Sequence, residues 1–349
     1  MPVLNEPLHI LGASLCSVMG NIHPESGDEL IVIRDKLEVS PQRLQLINRW
    51  ATRSFRCSKK GKREAIALGL RLAKNEVVII QDSDTVFTPD SLRELVQPFS
   101  DPKVGGSTSN QRIADPFRNI WRTIAQWIEV VRFEVGHVSS QAYFKQVGCL
   151  PGRAIAVRKS IVMPYLKEYC NEMFLGKHVV TGDDRVMTQY ILQSGYQTVF
   201  CPKSLVTTDT PNTFKGLVGQ QLRWARSGDR ETFKAWNWLY KFPYIAFSSI
   251  TNIITPFAFV FVIAASIISY ADAGSLRFSL SLLGSLFLGL AGMNIVTGAK
   301  QHPFLNWHTL KYLPIYALFL MCVLTPIQIY ALFTMRNNEW LTRSKAQKG

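Results

Sequence analysis

Three long apolar blocks in the last third of the chain limit its possible folds more than any other feature. They lie after Lys241, at residues 243–270, 278–298 and 312–333. Each has the roughly 20 residues that a helix needs to cross a hydrocarbon core of about 30 Å. The 349-residue chain is accordingly only 18% charged, below the roughly 25% usual for soluble domains. The sequence therefore predicts an integral, multi-pass membrane protein.

Basic residues on both sides of the apolar blocks predict their orientation. Five stand shortly before the first block: Arg223, Arg226, Arg230, Lys234 and Lys241. Because positive charge favours the cytosolic side and no signal-peptide pattern opens the chain, we expect the first 240 residues in the cytosol, at the plasma membrane. The tail at 336–349 is also basic, which favours two full spans with one block partly in the interface. Three full spans, with the tail outside, are the alternative.

The region before the blocks alternates strand and helix signals. The runs ELIVI at 29–33 and EVVII at 76–80 are typical of strands buried on both faces, and 63–73 between them has helical periodicity. A strand, a helix and a strand in this order predict a parallel α/β sheet. The ligand site of such a sheet lies at the carboxyl ends of its strands.

Charge and cysteine content exclude several classes of protein. The net charge of +14 comes without a repeat of basic and aromatic residues or an identifiable DNA-reading helix, so no nucleic-acid partner is expected. Anionic lipid or a phosphorylated substrate explains the charge better. The six cysteines form no CxxC pair, which argues against a zinc module and favours a reducing compartment.

Two acidic residues follow the second predicted strand directly. In QDSDT, Asp82 and Asp84 are two positions apart and should point to the same side. Close carboxylates repel unless a cation lies between them, and Mg²⁺ or Mn²⁺ takes oxygen ligands that substrate phosphates often complete. The alternative is an acidic turn that caps the next helix.

A second acidic pair, in TGDDR, precedes a predicted helix at 186–192. One acid of the pair is expected to be the N-cap of that helix. The other is placed to act as a general base, which must reach a hydroxyl proton and keep a usable pKa. The candidates are Asp183 and Asp184.

The segment QQLRW lies in a helical stretch where Gln220, Arg223 and Trp224 share one face. A guanidinium can pair with a diphosphate, and an indole can carry the apolar face of a sugar. The alternative is a membrane-interface helix with an anchoring Trp and lipid-facing arginines. A basic cluster opens the helix at 63–73 and is either phosphate-binding or a solvated turn: Lys59, Lys60, Lys62 and Arg63.

Together with PVLNE near the start, the acid after ELIVIR, and GCLPGR, these segments resemble the inverting family-2 glycosyltransferases. The resemblance is strongest to the processive membrane polysaccharide synthases, such as hyaluronan, chitin and cellulose synthases. It implies an α/β GT-A (Rossmann-like) glycosyltransferase domain at 1–205, followed by interfacial helices at 206–242, transmembrane α-helices at 243–335 and a basic tail at 336–349. It also implies a UDP-sugar donor, a polysaccharide acceptor, Mg²⁺ or Mn²⁺, a lipid bilayer and secretion of the polymer.

The resemblance also implies residue roles. It assigns substrate or nucleotide binding to Asp35, Lys62, Asp82, Asp84, Gly152 and Asp183, and metal binding to Asp82 and Asp84. It assigns catalysis to Asp184, as the base that deprotonates the acceptor, and to Gln220, Arg223 and Trp224. The sequence WLTR at 340–343 is similar to the WGTR that ends many hyaluronan synthases.

The chain departs from the family pattern at a few positions. Arg34 stands where an acidic residue is usual, Arg153 and Val157 replace common Pro and Tyr, and the sequence opens at Met1 where relatives have a complete strand. Two alternatives to a processive synthase therefore stay open. One is a non-processive transferase that adds a sugar to a lipid acceptor, and the other is a catalytically inactive membrane scaffold.

Overall fold

The computed structural model describes residues 1–273, 309 and 311–337, and it divides into two compact units. Unit 1 comprises Met1–Ala114 and Gly136–Thr210, and unit 2 comprises Asp115–Val135 and Pro211–Gly349. The segment 115–135, which the sequence groups with the catalytic domain, thus belongs to the second compact unit. The functional boundaries at 205, 242 and 335 stay predictions.

Unit 1 contains a parallel three-stranded sheet with helices on both faces. Its strands pair in the order β1-β2-β3: Pro2–Val3, Ile31–Arg34 and Arg53–Arg56. The helices that connect or follow them are α1 (Leu8–Met19), α2 (Pro41–Trp50) and α3 (Lys62–Leu72). Alternation along β2 sends Val32 into a cluster with Leu11 of α1, and Ile33 into a cluster with Ala65 of α3. Burial on both faces explains the continuous apolar run in the sequence.

A second sheet in unit 1 is mixed. Its order is β4-β7-β6-β10-β5: Val77–Gln81, Ala154–Arg158, Val104–Ile113, Gln197–Thr208 and Thr85–Phe87. Only the pair β6 and β10 is parallel, and β4 pairs antiparallel with β7. The predicted parallel sheet is therefore right for β2 and wrong for β4, because the partner of β4 is a strand that comes more than seventy positions later.

Helix α9 packs closely on the central strand β6 of the mixed sheet. The other short elements of unit 1 are α4 (Ser91–Val96), α6 (Val138–Phe144), α7 (Lys159–Val162), α8 (Leu166–Cys170), β8 (Met173–Phe174), β9 (Lys177–His178) and α9 (Asp183–Gln193). A Cβ atom on Gly105 or on Gly106 of β6 would lie 2.7 Å from the side chain of Ile191 in α9. Because only glycine permits this approach, the two residues fix the distance between α9 and the sheet.

Unit 2 is helical, and two of its segments could cross a membrane. Its helices are α5 (Ile120–Val130), α10 (Phe214–Leu239), α11 (Pro243–Ala273), α12 (Leu313–Phe319) and α13 (Thr325–Thr334), the last two joined by π-helical Leu320–Leu324. The candidate spans are Pro243–Ala265 and Leu313–Thr334, of 23 and 22 residues. Only 11% and 33% of their apolar windows are buried within the protein, whereas a soluble core helix would be mostly buried.

The two described apolar blocks are helical although each contains prolines at which a helix could break. Pro256 lies inside α11, and the π-helical stretch keeps the second span helical up to Pro326. The middle block at 278–298 and the WLTR sequence at 340–343 lie outside the described residues. The number of spans, and a block lying partly in the interface, therefore stay predictions.

Candidate active site

The side chain of Lys62, the first residue of α3, connects the two acidic turns of unit 1. Its Nζ lies 2.7 Å from Oδ1 of Asp82 and 2.7 Å from Oδ2 of Asp183. Burial alone would lower the pKa of Lys62, but the charges of Asp183 and Asp82 outweigh burial and raise this pKa well above its ordinary value. A single ammonium therefore holds together segments that are about a hundred residues apart.

Asp82 and Asp84 lie in a turn between β4 and β5. The Thr85 N–H donates to the Asp82 carbonyl at 3.2 Å, and the Asp82 N–H donates to the Arg153 carbonyl at 3.0 Å. A turn geometry thus replaces the strand alternation that was expected. Since the turn leads into a strand, the helix-capping alternative is wrong. Burial, followed by the charge of Asp82, raises the pKa of Asp84 to about 6.

The two carboxylates fit a divalent cation. Within the part of the chain that the structure describes, no group of three His, Cys, Asp or Glu side chains could hold a metal alone. A metal site here would use the pair Asp82 and Asp84, and substrate phosphates and water would complete the coordination. The raised pKa of Asp84 is the electrostatic cost that a cation between the two carboxylates would relieve.

Asp184 lies in the first turn of α9, and two backbone N–H groups bind its carboxylate. Oδ2 accepts from Gly152 at 3.0 Å, and Oδ1 accepts from Arg185 at 2.9 Å. Helix α9 begins at Asp183, and its N-cap is Gly182 at φ 80°. The expectation that one acid of the pair is the N-cap is therefore wrong, because a left-handed glycine fills that position.

The two adjacent acids have pKa values displaced in opposite directions. Burial, and then the charge of Asp183, raise the pKa of Asp184. Burial would also raise the pKa of Asp183, but the Lys62 ammonium outweighs it and holds this pKa below its usual range. Neighbouring acids with separated pKa values suit different chemical tasks: Asp183 stays ionised on Lys62, and Asp184 is the better proton acceptor.

The loop GCLPGR at 148–153, which resembles the acceptor-side loop of the family, is hydrogen-bonded to α9. A Cβ on Gly152 would lie 3.0 Å from the Cβ of Asp184. Thr188 Oγ1 donates to the Asp184 carbonyl at 2.8 Å and accepts from the Leu150 N–H at 3.0 Å. The Gln111 amide donates to the Pro151 carbonyl at 2.9 Å. These bonds fix the loop next to the base candidate.

Asp35 follows β2 directly and connects it to the start of α3. Its Oδ1 accepts from the Leu37 N–H at 2.9 Å and its Oδ2 from the Gly61 N–H at 2.8 Å. A carboxylate offers about four acceptor positions, so about two stay available for a ligand. Asp35 is thus hydrogen-bonded to Gly61, the residue that directly precedes Lys62.

In unit 2, Gln220, Arg223 and Trp224 lie on α10 at positions that share a face, as the spacing predicts. The Arg132 guanidinium lies over the Trp224 ring, 4.6 Å from its centroid, and pairs with Glu129 at 3.2 Å. Protein therefore covers one side of the indole.

Two arginines that were candidates for lipid contact are buried. Arg226 and Arg230 are 6% and 0% exposed. Arg226 Nε donates to Thr334 Oγ1 at 3.0 Å, and Arg230 pairs with Glu231 at 3.1 Å. The exposed aromatic residues of α10 are Phe214, Phe233 and Trp236. The lipid-facing alternative is therefore wrong for these two arginines.

A sequence model of the family described as "Glycosyltransferase like family 2" matches residues 41–227, more than half of the chain. The matched range contains both acidic turns and QQLRW. The chain belongs to this family. It is a glycosyltransferase, as the resemblance implies.

Individual relatives agree with the family assignment. The transferase is 28% identical over 360 residues to hyaluronan synthase of Streptococcus pyogenes, across 99% of this chain and 82% of that protein. It is 29% identical over 293 residues to an N-acetylglucosaminyltransferase of Mesorhizobium japonicum, across 82% and 66%. Its fold is similar to that of mannosyltransferase PcManGT from Pyrobaculum calidifontis, solved with GDP-Man and Mn²⁺ (TM-score 0.61, 19% identity, 92% of this chain and 85% of that one). The predicted GT-A fold is confirmed, and a nucleotide-sugar donor and a saccharide acceptor follow from the family.

For Arg63 of the transferase, the alternative of a solvated turn is wrong. Its guanidinium is buried on Glu172 and also donates to the Thr181 carbonyl of the second acidic turn. Lys59 pairs with Glu64 at 3.2 Å. No spacing signal could have joined Arg63 to Glu172, because a hundred residues separate them. Thr188, which bonds both the Asp184 carbonyl and the Leu150 N–H, was also missed, because Leu150 lies 38 residues earlier in the chain.

Proposed function

We propose that this transferase moves a sugar from a UDP-sugar to a growing polysaccharide, with inversion, and that the polymer is secreted across the membrane. The observation that carries the proposal is the position of the Lys62 Nζ, 2.7 Å from both Asp82 and Asp183. Asp183 is the neighbour of Asp184 in the chain. Lys62 joins a turn suited to a diphosphate to a turn suited to a base. The near full-length similarity to a hyaluronan synthase supports a polymer product.

On the donor side, we assign the nucleotide base to Asp35 and the diphosphate to Lys62 and the Asp82–Asp84 turn. The acceptor positions left on Asp35 suit the N–H of a uracil. When bound, Mg²⁺ or Mn²⁺ on Asp82 and Asp84 would supply positive charge that stabilises the departing diphosphate. The Mn²⁺ of the PcManGT structure supports a divalent cation here.

On the acceptor side, we assign proton removal to Asp184. Inversion requires the acceptor oxygen to approach the anomeric carbon opposite the diphosphate, and holding both in line supplies much of the rate. The raised pKa of Asp184 suits a group that takes the hydroxyl proton as the new bond forms. The N–H groups of Gly152 and Arg185 orient its carboxylate. Asp183 keeps Lys62 in place.

For QQLRW we carry over the roles that the resemblance implies. Arg223, with Gln220, would contact the departing diphosphate, where a guanidinium can make paired hydrogen bonds. Trp224 would support the acceptor sugar. Arg132 over the indole ring holds it in a fixed orientation, which a stacking platform requires.

We propose a multi-pass plasma-membrane location with a cytosolic catalytic domain at 1–205 and interfacial helices at 206–242. Two candidate spans, and the exposed Trp236 followed by Lys241 on the approach to the first one, support this arrangement. In intact cells, a single cysteine introduced as Ala346→Cys should resist an impermeant thiol reagent. Strong labelling from outside would contradict a cytosolic tail and favour three spans.

The test of function is transfer by purified membranes that contain the full chain. We expect at least one radiolabelled UDP-sugar, alone or in a pair, to give UDP release and a long product, and EDTA to stop both. A single added sugar on a lipid would favour the non-processive alternative. If membranes released no UDP from any UDP-sugar or pair tested, the proposal would fail.

A further inference from the structure

Arg63 is buried next to the proposed site, but the groups that its guanidinium binds are not ones assigned above to the donor or the acceptor. Its side chain is 4% exposed and pairs with the Glu172 carboxylate, which is 3% exposed. Its Nη1 donates to the Tyr169 carbonyl at 3.0 Å, and its Nη2 donates to the Thr181 carbonyl at 2.9 Å. One guanidinium therefore binds three points of a segment a hundred residues away.

The Thr181 carbonyl is the last one before the turn that carries the two acids. Gly182 follows in the left-handed conformation, and α9 begins at Asp183. Lys62, the neighbour of Arg63 on α3, binds the carboxylate of Asp183. Two adjacent residues of α3 thus hold this turn. Arg63 binds a backbone carbonyl of the turn, and Lys62 binds one of its side chains.

The contact with Glu172 closes the segment from the other side. Glu172 begins a short hairpin, β8–β9, and its carbonyl accepts from the Val179 N–H at 2.8 Å. Arg63 therefore binds the chain on both sides of the hairpin, at Glu172 before it and at Thr181 after it. A buried ion pair that satisfies several acceptors fixes geometry, and removing one partner leaves an uncompensated buried charge.

We propose that Arg63 is a positioning residue for the transfer step, an inference that rests on the proposed role of Asp184. Arg63 sets the place of the Asp183–Asp184 turn relative to Lys62 without contacting donor or acceptor. The pair between Lys62 and Asp82 does not involve Arg63, so donor binding survives its loss. Proton removal does not, because a displacement of about 1 Å can reduce a rate by about 100-fold.

The opposite end of α3 offers a matched control. Arg53 Nη1 pairs with Glu29 at 3.0 Å and donates to the Leu72 carbonyl at 3.0 Å. Like Arg63, Arg53 has a guanidinium that joins a carboxylate to a backbone carbonyl. Its partners, Glu29 and Leu72, are not residues of the proposed site and do not adjoin one. Arg53→Met therefore measures what the loss of such a tie costs in stability alone.

The kinetic experiment compares full-length Arg63→Met, Arg63→Lys and Arg53→Met, each with its melting temperature, UDP affinity, kcat and KM. We expect kcat of Arg63→Met to fall by about 100-fold while UDP affinity stays within about threefold. Arg63→Lys keeps the charge, but a compact ammonium cannot reach the separate acceptors that the two Nη atoms bind, so it should stay impaired. The proposal would be overturned if Arg53→Met lost as much kcat as Arg63→Met for the same fall in melting temperature. It would also be overturned if Arg63→Met lost UDP affinity by as large a factor as kcat.

A second measurement does not depend on activity. Amide hydrogen exchange of the segment 179–186 should accelerate in Arg63→Lys and Glu172→Gln, two variants chosen for mild effects on folding, and should not change in Arg53→Met. Unchanged exchange in both site variants would overturn the positioning role. If the wild type transfers no sugar, the proposed function fails, and exchange still decides whether Arg63 fixes the turn.

Discussion

Buried charge is neutralised differently at Lys62 of unit 1 and at two arginines of unit 2. In unit 1 the ammonium of Lys62 pairs with Asp82 and Asp183, which come from distant segments. In unit 2 Arg132 pairs with Glu129 three positions away, and Arg230 pairs with its neighbour Glu231. Local pairs form as soon as a helix forms, whereas the pairs of Lys62 exist only in the complete fold.

This difference shows where the protein keeps electrostatic cost that a ligand can relieve. Unit 1 leaves Asp84 and Asp184 with raised pKa values, so their ionised forms are disfavoured in the folded protein. A bound cation would stabilise the ionised form of Asp84, and under the proposed function Asp184 would take the proton of the acceptor hydroxyl. Long-range pairing beside such groups is therefore a better indicator of chemistry than buried charge alone.

The comparison between the two units loses its meaning if Asp184 has only a structural role. Substitution of Asp184 is therefore the first test and has the largest expected effect. Asp184→Asn should lower transfer by at least about 100-fold, because an amide cannot accept the proton, and should preserve UDP affinity. The control is Asp90→Asn, an exposed acid at the N-cap of another helix. Equal transfer by wild type and Asp184→Asn would remove the base assignment.

The bridging role of Lys62 can be tested through stability as well as activity. Lys62→Met should lower the free energy of unfolding by about 3 kcal/mol, because it leaves two acids without their shared cation, and should weaken UDP binding. Lys59→Met removes a lysine of the same helix opening whose partner Glu64 is local, and should change little. Chemical unfolding of both variants checks this, and matching losses would erase the distinction between long-range and local pairs.

Trp224 sharpens the comparison on the side of unit 2. Trp224→Ala should cost about 1 to 3 kcal/mol of acceptor binding by analogy with bases stacked on aromatic rings, about 5- to 150-fold in affinity, and so shorten the polymer while UDP-sugar hydrolysis stays measurable. Arg223→Ala should suppress both, because it removes a charge from the departing diphosphate. The control is Trp236→Ala on the exposed part of the same helix. If Trp236→Ala shortens the product and Trp224→Ala does not, the platform is misassigned.

The smallest expected effect is on stability without metal. The pKa of Asp84 in the folded protein, about 6, exceeds the usual value of roughly 4, so the fold binds this proton more tightly than the unfolded chain does. Stability should therefore fall as pH rises from about 4 to about 6, by about 1 to 3 kcal/mol.

Asp84→Asn removes that cost. In EDTA it should melt at a higher temperature than wild type at pH 7.5, and the difference should shrink at pH 5. Mg²⁺ or Mn²⁺ should then raise the melting temperature of the wild type only. Asp28→Asn, in an exposed turn, is the control. A metal effect of equal size in Asp84→Asn would show that the cation binds elsewhere.

Local signals in the sequence predicted much of the fold and of the site. The strands at 31–34 and 77–81 follow from continuous apolar runs, and the helix from Lys62 follows from hydrophobic periodicity. The acidic turns were recognisable because each places its charges within a few positions. The structure brings together Lys62, Asp82 and Asp183, to which the resemblance assigned substrate or nucleotide binding.

What the sequence could not predict depends on contacts between distant segments. The antiparallel partner of β4, the burial of Arg226 on Thr334 and the pairing of Arg63 with Glu172 leave no periodic trace. An arginine beside a lysine at a helix start looks the same whether it faces a phosphate or the interior. Only packing separates these cases.

The two glycines of β6 set the mutational tolerance of this region. A single methyl group on Gly105 or Gly106 would meet Ile191 at 2.7 Å and push away the helix that begins with the two acids. In a saturation mutagenesis map, both positions should then be as intolerant as the acids themselves, although neither has a side chain to offer a substrate. Intolerance at these two positions reflects the lack of space between the helix and the sheet. Without the structure, a mutational map would suggest that the two glycines take part in catalysis.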